Sequence, residues 1–533
     1  MLPLDRIPAS QLQGVSRASC CKRQMTMDAP DIRRGYDVVV IGSGLAGSTV
    51  AYRLAREGLR ALVVEEGDFL PQPPRQLKSP LGPYKDLDPR PRLVGGPTKF
   101  YGAAMYRMRE SDFRATKHEA GESPAWPITY ADLEHYYCEA EQLYRVHGAP
   151  EGDPTEPPRS VPFPHPPLPH APLVSALIDR LRDSGTSVSP LPRALDYGAG
   201  GKCVLCPTCD AYYCQLDAKM DAEIAALRPA LGTGYVELLT RTRCVRILTN
   251  DNGSKTTGVL IQRDGKEQTI HADVVVVCAG LPVSARLLLE SRSSRHPQGL
   301  GNSTGCVGRY YGGHTTGMIF PLLSMARLPA MHTKTFAINT YYDGAPGWPY
   351  PTGMIQAAGQ IPFWEGEAVR QWKKPVARFI GERSIYCFYM TEALPSRESG
   401  FEFDRGTVVR MTPPLQNVET FRKLRQLAIN VFRRAGYLVI SPSHRSLWHH
   451  VGTVRFGTDP GSSVLDPNCK VYDIDNLYVV DASVLPSAGA VNTGLTIAAL
   501  ALRVGDIIAG LKPIGHARTR GMNAGLGHAV FSE

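Results

Sequence analysis

Apolar runs separated by glycine-rich turns define a first unit near the N-terminus of the chain. Residues 37–41 are mostly β-branched, the pattern of a strand buried on both faces of a parallel sheet. Val50 and Leu54 then lie four residues apart, as on one face of a helix, and Gly58 ends that stretch. Another apolar run follows at 60–64. The pattern predicts a strand, a helix and a second strand in succession.

Glycines follow the first strand at the spacing of a dinucleotide-binding turn. Gly42 permits a tight turn, and Gly44 lets backbone N–H groups come close to a pyrophosphate. Gly47 allows the helix to pack closely on the strand. The pyrophosphate would lie on the helix N-terminus, where unpaired N–H groups favour an anion. Glu65 ends the second strand and can accept hydrogen bonds from the adenosine ribose, which disfavours NADP. This fingerprint alone leaves FAD and NAD open.

Later segments repeat the combination of apolar runs with small and polar residues. Residues 94–104 have the sequence V-G-G-P-T-K-F-Y-G-A-A, and 273–280 predict a second buried strand that ends in small residues. Near the C-terminus, 449–453 have the sequence H-H-V-G-T and 476–483 the sequence N-L-Y-V-V-D-A-S.

The C-terminal series ends with Asn492 and an apolar stretch, 495–502, that predicts a helix. Together with the earlier segments it resembles the glucose–methanol–choline (GMC) oxidoreductase family, from residue 36 to about residue 511. The resemblance implies an FAD-dependent alcohol oxidase or dehydrogenase. The CH–OH group of a small-molecule alcohol would become a carbonyl, with hydride transfer to flavin N5 and with O2 or another molecule as the electron acceptor.

The resemblance also implies the site residues. Catalysis falls to His449, at the first position of H-x-x-G-T, as the acid/base, and to Asn492, which holds the substrate oxygen. The implied cofactor-binding residues are Gly42, Ser43, Gly44, Ala46, Gly47, Glu65, Gly95, Gly96, Thr98, Tyr101, Gly102, Ala103, Ala279, Asp481, Ala482, Asn492, Thr493 and Thr496.

General chemistry agrees with this choice of catalytic residues. The imidazole of His449 can take a proton near neutral pH, because the ordinary pKa of histidine is ~6.5. An amide such as that of Asn492 forms hydrogen bonds without changing charge. His450, beside Trp448, is expected to be a packed or surface histidine. The N-terminus of the helix after Gly494 would stabilise the negative charge of a reduced flavin, although core burial alone also explains its apolar residues.

Two positions depart from the family pattern. Some members attach FAD covalently through a histidine four residues after the second glycine of the G-G pair, and here that position is Phe100. FAD is therefore expected to be noncovalent. Thr493 follows Asn492 where many relatives have proline, so the local backbone is expected to differ.

Four closely spaced cysteines form a motif whose role the sequence does not decide. Cys203, Cys206, Cys209 and Cys214 have C-x-x-C-x-x-C-x-x-x-x-C spacing. Four such thiols can bind zinc tetrahedrally or hold an iron–sulfur cluster. Structural thiols or a local disulfide explain the same spacing, so all three alternatives stay open.

Composition bounds the class of protein. The chain has 533 residues, 43% of them hydrophobic and 20% charged, which indicates a globular protein with more than one domain. Its formal net charge of +9 is scattered along the chain, so no nucleic-acid partner is expected. There is no apolar stretch long enough to span a membrane, and residues 1–34 lack the apolar core of a secretory signal. A cytoplasmic location is expected.

The expected fold class is α/β, with a discontinuous Rossmann-type FAD-binding domain and an α+β substrate-binding domain built on an antiparallel sheet. The FAD domain is predicted to comprise 28–160, 196–308 and 441–515, the substrate domain 309–440, and the loose termini 1–27 and 516–533. Residues 154–172 are too rich in proline for regular structure.

Several functions remain open at this point. A sugar or polyol would suit aromatic side chains in the substrate domain, although ordinary packing also explains those side chains; they are Tyr341, Tyr342, Trp348, Tyr350 and Trp364. An aryl or terpenoid alcohol is the alternative substrate. A non-redox lyase that keeps FAD as a scaffold and an NAD-dependent dehydrogenase are the other two classes.

Overall fold

The computed structural model describes residues 35–70, 92–207, 209–360, 362–365 and 369–510. The α-helices in these ranges are α1 (Leu45–Arg56), α2 (Tyr130–Leu143), α3 (Pro172–Asp183), α4 (Arg228–Gly232), α5 (Val283–Glu290), α6 (Lys374–Gly381), α7 (Val418–Arg434) and α8 (Gly494–Ile508).

Strands in the same ranges form two large sheets and three two-stranded ones. They are β1 (Tyr36–Ile41), β2 (Ala61–Val64), β3 (Thr116–Lys117), β4 (Glu122–Ser123), β5 (Val146–His147), β6 (Ser189–Pro190), β7 (Arg193–Ala194), β8 (Val236–Leu239), β9 (Arg243–Thr249), β10 (Thr256–Arg263), β11 (Lys266–Val277), β12 (Gly312–Leu322), β13 (Phe336–Ile338), β14 (Met354–Ala357), β15 (Cys387–Leu394), β16 (Gly400–Asp404), β17 (Thr407–Thr412), β18 (Leu415–Gln416), β19 (Leu438–Ile440), β20 (Ser446–Val451) and β21 (Leu477–Val479).

The first large sheet has the order β8-β2-β1-β11-β10-β9, with β21 also paired to β11. Strands β8, β2, β1, β11 and β21 run parallel, and Val38 of β1 lies opposite Ala61 of β2 and Val274 of β11. The valine-rich sequences of β1 and β2 are buried, as strands covered on both faces require. The strand-helix-strand unit predicted from the sequence is therefore confirmed.

Helix α1 connects β1 to β2 and packs on this sheet together with α8, which also contacts α2. Val50 and Leu54 are buried on its inner face, in agreement with their four-residue spacing. The helix ends at Arg56, and Gly58 takes the left-handed conformation that the turn into β2 needs. The N-terminus of α1 is thereby fixed at the carboxyl end of β1, where open α/β sheets bind their ligands.

The second large sheet is antiparallel, with the order β19-β12-β15-β14-β13-β6 and with β18 and β20 paired to β15 and β12. Its strands alternate between two faces. Ile319 of β12 and Tyr389 of β15 face α7 and pack with Leu424 and Val431 of that helix. His314 and Glu392 lie directly opposite each other across β12 and β15, on the other face. The α/β class with a second, antiparallel unit is confirmed.

The pairing of the strands differs at one point from the domain boundaries predicted from the sequence. Strand β20 pairs with β12 in the second sheet, although 441–515 were expected in the FAD domain. The domain boundaries otherwise remain predictions.

Residues 1–27 and 516–533, predicted as loose termini, lie outside the described residues, as do 28–34 and 511–515 of the predicted FAD domain. Within the described ranges, the helices are all too short or too polar to cross a membrane.

Candidate functional site

The turn between β1 and α1 has the geometry that the glycine spacing predicts. Gly42 takes a positive φ of 100°, and a Cβ there would lie 2.6 Å from the carbonyl oxygen of Cys278. A Cβ at Gly47 would overlap the carbonyl oxygen of Gly42. At Gly44, by contrast, a Cβ would meet no protein atom within 4 Å. The space above the N-terminus of α1 is thus open, and its N–H groups favour an anion there.

Glu65 lies at the carboxyl end of β2 and faces this turn. Its Oε2 accepts hydrogen bonds from the backbone N–H of Ser43 at 2.9 Å and from the Ser43 hydroxyl at 2.7 Å, while its Oε1 accepts from Gly67 N–H at 2.8 Å. The carboxylate therefore stands beside the glycine turn, where an adenosine ribose is expected in a dinucleotide-binding fold.

The G-G segment packs against the same turn. Gly95 and Gly96 both have positive φ, and a Cβ at Gly96 would lie 3.2 Å from the Cα of Gly44. The N–H of Gly95 donates to the Ser43 hydroxyl at 3.3 Å. Thr98 stabilises the segment, since its hydroxyl donates to the Gly95 carbonyl at 2.5 Å and accepts from Ala222 N–H at 3.0 Å.

Beyond the G-G pair, the chain continues through Tyr101, Gly102 and Ala103. The Tyr101 hydroxyl donates to the carbonyl of Met220, and burial raises the pKa of Tyr101 well above its ordinary value. Ala103 has a left-handed φ of 54°. Phe100, at the position of the histidyl link in some relatives, is a buried phenylalanine.

A buried ion pair lies under Gly102. Lys334 Nζ contacts the two carboxylate oxygens of Asp210 at 2.9 and 3.1 Å, and Gly359 N–H donates to the same carboxylate at 2.7 Å. A side chain at position 102 would overlap both groups, so Gly102 is needed for this packing.

The carboxyl ends of β11 and β21 complete the edge of the sheet. Asp481 Oδ2 accepts from Gly280 N–H at 2.9 Å and from the Ser284 hydroxyl at 2.6 Å, while its Oδ1 accepts from Ser483 N–H at 2.7 Å. Asp481 thus joins the turn that contains Ala279 to the turn that contains Ala482. Three protein hydrogen bonds thus fix the Asp481 carboxylate between these two turns.

Helix α8 begins directly after the predicted catalytic asparagine. Asn492 and Thr493 precede its first residue, and the Thr496 hydroxyl shares a hydrogen bond of 2.8 Å with the Tyr137 hydroxyl. The helix N-terminus therefore lies beside Asn492, as the sequence predicts.

His449 and Asn492 meet although 43 positions separate them in the chain. Asn492 Nδ2 lies 3.1 Å from His449 Nε2, and the Asn492 Oδ1 is buried with no hydrogen-bond partner in the described structure. Buried acceptors without a partner are rare and point to a missing ligand or water. His449 has a left-handed φ of 49°, which turns its ring out of the regular path of β20.

A second histidine, His314 of β12, holds the opposite side of the His449 ring. Its Nδ1 lies 2.9 Å from His449 Nδ1, and its Nε2 lies 3.2 Å from the Ala488 carbonyl oxygen. A carbonyl only accepts, so His314 donates through Nε2, and its Nδ1 in the neutral ring is an acceptor. His449 must then carry its hydrogen on Nδ1, which leaves the Nε2 lone pair pointing toward Asn492.

Electrostatics keep both rings neutral. Burial, followed by His314, Lys334 and His450, holds the pKa of His449 well below its ordinary value. Burial likewise lowers the pKa of His314, although the Ala488 carbonyl opposes that shift. Near neutral pH the Nε2 lone pair of His449 is therefore free of a proton.

His450 occupies a different environment. Its Nδ1 forms a hydrogen bond with the Tyr311 hydroxyl, and the two rings stack with their centroids 5.5 Å apart. The side chains of His449 and His450 thus point to different partners. In the sequence, only the position in the H-x-x-G-T motif favoured His449 over His450 as the acid/base. The different contacts of the two rings give a physical reason for the same choice.

In the part of the chain that the structure describes, the cysteine cluster is not arranged as a metal site. Among the described residues, no group of three or more His, Cys, Asp or Glu side chains converges as metal ligands require. Cys203, Cys206, Cys209 and Cys214 form no disulfide in the described structure, and burial raises the pKa of Cys203 to about 12. The zinc and iron–sulfur alternatives therefore lack a ligand geometry here, and so does the local disulfide.

Aromatic residues lie near His449. Trp448 lies beside it with ring centroids 6.4 Å apart, and Phe388 packs on Trp448 at 4.8 Å. Of the five aromatic residues considered for sugar binding, Trp364 belongs to this cluster. Tyr342 is instead buried, with its hydroxyl bonded to Asp112.

Sequence reasoning missed His314, Lys334 and Asp210. They lack a local motif, and His314 lies 135 positions before its partner. The only feature that distinguishes His314 is its place on the face of β12 that points away from α7, and that face is known only from the structure.

Comparisons with known proteins agree with this geometry. Two family models described as GMC oxidoreductase match residues 36–315 and 430–501. The chain is 29% identical to paromamine 6'-oxidase of Streptomyces fradiae, over 91% of this chain and 93% of that protein. It is 28% identical to 2-methyl-1,2-propanediol dehydrogenase of Mycolicibacterium austroafricanum, over 89% and 95%.

A solved structure shares the fold. Pyridoxine 4-oxidase from Mesorbium loti superposes with a TM-score of 0.61 at 18% identity, covering 89% of this chain and 99% of that one. The matched family models span most of the sheet, turn and site residues described above. The chain belongs to the GMC oxidoreductase family.

Proposed function

We propose that this enzyme oxidises the CH–OH group of a small-molecule alcohol to a carbonyl, with His449 taking the hydroxyl proton and Asn492 holding the substrate oxygen. The observation that supports it most is the protonation pattern of the histidine pair. His449 Nε2 accepts a hydrogen bond from the Asn492 amide N–H, and the oxygen of that amide has no partner among the described residues. A substrate hydroxyl placed between them would find a proton acceptor and a hydrogen-bonding amide together.

FAD is the proposed cofactor, since members of this family bind it and the residues present suit it. The open space at Gly44 and the N-terminus of α1 would receive the pyrophosphate, and Glu65 the adenosine ribose. When bound, FAD would supply the hydride acceptor at N5. The N-terminus of α8, beside Asn492, would favour negative charge near the reacting end.

We expect the FAD to be bound without a covalent bond, because Phe100 offers no atom for the histidyl link. Acid precipitation of the purified enzyme should release all yellow cofactor into the supernatant. Colour that stays on the denatured pellet would mean that another residue bonds the flavin.

His449 takes the hydroxyl proton, and its hydrogen bond to His314 holds the ring in place. The Nε2 lone pair accepts the hydroxyl proton, and the Nδ1–H stays bonded to His314 throughout. The positive charge that forms on His449 is disfavoured by burial and by Lys334, so it is transient, and His449 releases the proton to solvent once the carbonyl has formed.

The substrate class is narrowed by the relatives and by the aromatic neighbours of His449. The relatives named above act, by their names, on an aminoglycoside and on a diol, which favours a sugar or polyol here. Trp448 and Phe388 would provide a flat apolar side for the carbon skeleton of either a sugar or an aryl alcohol. A cytoplasmic location remains part of the proposal.

An anaerobic bleaching screen tests the function. The enzyme is mixed with sugars, polyols, aryl alcohols and terpenoid alcohols, and flavin absorbance is followed alongside carbonyl formation. We expect bleaching that matches the carbonyl formed mole for mole, followed by recovery of colour with O2 or an artificial acceptor. Product formed while the flavin stays oxidised would instead indicate a lyase, and the redox proposal would be wrong.

A further inference from the structure

One short helical segment exposes an unusual amount of apolar surface. Trp372 (71% exposed), Val376 (63%) and Phe379 (45%) lie at positions i, i+4 and i+7 of the segment that runs from Gln371 to the end of α6, so they share one face. Met325 (71% exposed) lies beside them, because its carbonyl accepts from Arg383 Nε at 2.9 Å and the Arg383 guanidinium covers the Phe379 ring at 3.9 Å. We call these four residues the α6 patch. Contiguous apolar patches on soluble proteins mark interaction sites.

The helical segment that carries the α6 patch is itself rich in basic residues. The segment from Arg370 to Arg383 contains five basic residues and one acidic residue. The acidic residue, Glu382, is already paired with Arg378 at 2.9 Å and Arg327 at 3.2 Å. Lys373 Nζ lies 4.9 Å from the centre of the Trp372 ring. The segment therefore carries a net positive charge.

The opposite side of the helix is anchored to the protein. Ile380 packs on the cluster that contains Phe320, Tyr386 and Phe388, and Gly381 touches the ring of Trp364 so closely that a side chain would not fit. This anchoring keeps the α6 patch facing outward. The same cluster reaches His449 through Phe388 and Trp448.

We propose that the α6 patch docks on an anionic lipid surface, with its apolar side chains in the interface and its lysines and arginines at the headgroups. A Trp- and Phe-bearing helix with basic flanks has the composition of an interfacial helix. A second copy of this chain fits the patch less well, because a symmetric contact would bring two net-positive surfaces together. The docking is independent of the redox proposal.

Vesicle sedimentation of the full-length enzyme tests this inference. The probes are phosphatidylcholine vesicles with and without phosphatidylglycerol. Wild type should sediment with the anionic vesicles, less so as salt rises, and weakly with the neutral ones. The double variant Trp372→Ser/Val376→Ser should lose on the order of tenfold or more in partitioning. Lys373→Gln should lose roughly fivefold on anionic vesicles only.

Val409→Ser is the matched control, because Val409 is 61% exposed on β17 and lies outside the α6 patch. It should partition like wild type. All substituted side chains are exposed, and thermal unfolding midpoints close to wild type would show that the fold is kept. Equal sedimentation of wild type and the double variant, or none by wild type, would overturn the proposal. So would a drop in molar mass caused by the double variant in vesicle-free solution, which would make the α6 patch a self-interface.

Discussion

His314 and His449 face each other through their Nδ1 atoms at 2.9 Å, and one carbonyl decides which of the two carries the hydrogen. Ala488 accepts from His314 Nε2, so His314 offers a lone pair at Nδ1 and His449 must donate to it. His314 is thus a positioning residue, acting on the base rather than on the substrate. The pairing connects β12 of the antiparallel sheet to the loop that carries Asn492.

Replacing His314 should change the protonation of His449 without emptying the site. His314→Leu removes the acceptor at Nδ1, and flavin reduction should slow about tenfold, the effect of one lost hydrogen bond of about 1.4 kcal/mol. His314→Asn keeps an acceptor near the Nδ1 position and should recover most of the rate. Because His314 contributes to the lowered pKa of His449, both variants should move the acid limb of the pH profile to higher pH.

Stopped-flow reduction across pH measures both effects, and nitrogen-15 NMR of the histidine rings reports the tautomer directly. If His314→Leu slows reduction while the tautomer of His449 and the pH profile stay as in wild type, His314 has only a packing role.

The second prediction separates the adjacent histidines. His449→Ala should keep FAD and substrate affinity but slow flavin reduction on the order of 10²–10⁴-fold, the usual contribution of a positioned acid–base group. His450→Ala is the control and should stay near wild type, because its ring is bonded to Tyr311 instead of Asn492. Asn492→Ala should cost less than His449→Ala, since it removes a hydrogen bond and not the proton acceptor. The opposite order of the two histidine variants would require a mechanism built on His450.

The sequence predicted the site residues that belong to one short motif. It missed the residues whose partners lie far away in the chain. Gly42, Gly44 and Gly47 lie within six residues, and each has one steric reason that can be stated without a structure. The contact between His449 and Asn492 was available only through family resemblance. His314 was not available at all, because the register of β12 against β15 and β20 depends on the whole antiparallel sheet.

The boundaries between the domains also depend on pairing between segments that are distant in the chain. Strand β20 joins the second sheet, yet its residues immediately precede turns that belong to the first. Helix α3 packs its Leu177 and Leu181 on the antiparallel unit, although it lies between two predicted FAD-domain segments. A chain that crosses between units several times leaves no composition change at the crossing points, so periodicity could not locate them.

Gly44, in the turn before α1, and Gly47, in the first turn of α1, offer a matched test of the nucleotide site. A Cβ at Gly47 overlaps the carbonyl of Gly42, so Gly47→Ala should destabilise the protein itself, by about 1–3 kcal/mol. A Cβ at Gly44 meets no protein atom, so Gly44→Ala should change apoprotein stability by less than about 1 kcal/mol. If the pyrophosphate lies above Gly44, that variant should nonetheless bind FAD on the order of tenfold more weakly.

Thermal unfolding of the apoproteins and a fluorescence titration with FAD give the two quantities separately. Normal FAD affinity in Gly44→Ala would place the pyrophosphate elsewhere.

The last prediction concerns Asp112, a buried carboxyl whose pKa is raised to about 7, chiefly by burial and further by the charge of Glu392. Hydrogen bonds from Arg109 N–H at 2.7 Å and from the Tyr342 hydroxyl oppose that shift without cancelling it. In the unfolded chain the pKa returns to about 3.9, so between these values the folded state binds the extra proton. Stability contributed by this group is therefore present at low pH and is lost as pH rises from about 4 to about 7, by up to about 4 kcal/mol. Asp112→Asn cannot titrate, so its stability relative to wild type should increase over that window. Chemical denaturation of both proteins at several pH values measures the difference, and a constant difference across the window would show that Asp112 is ionised in the folded protein throughout.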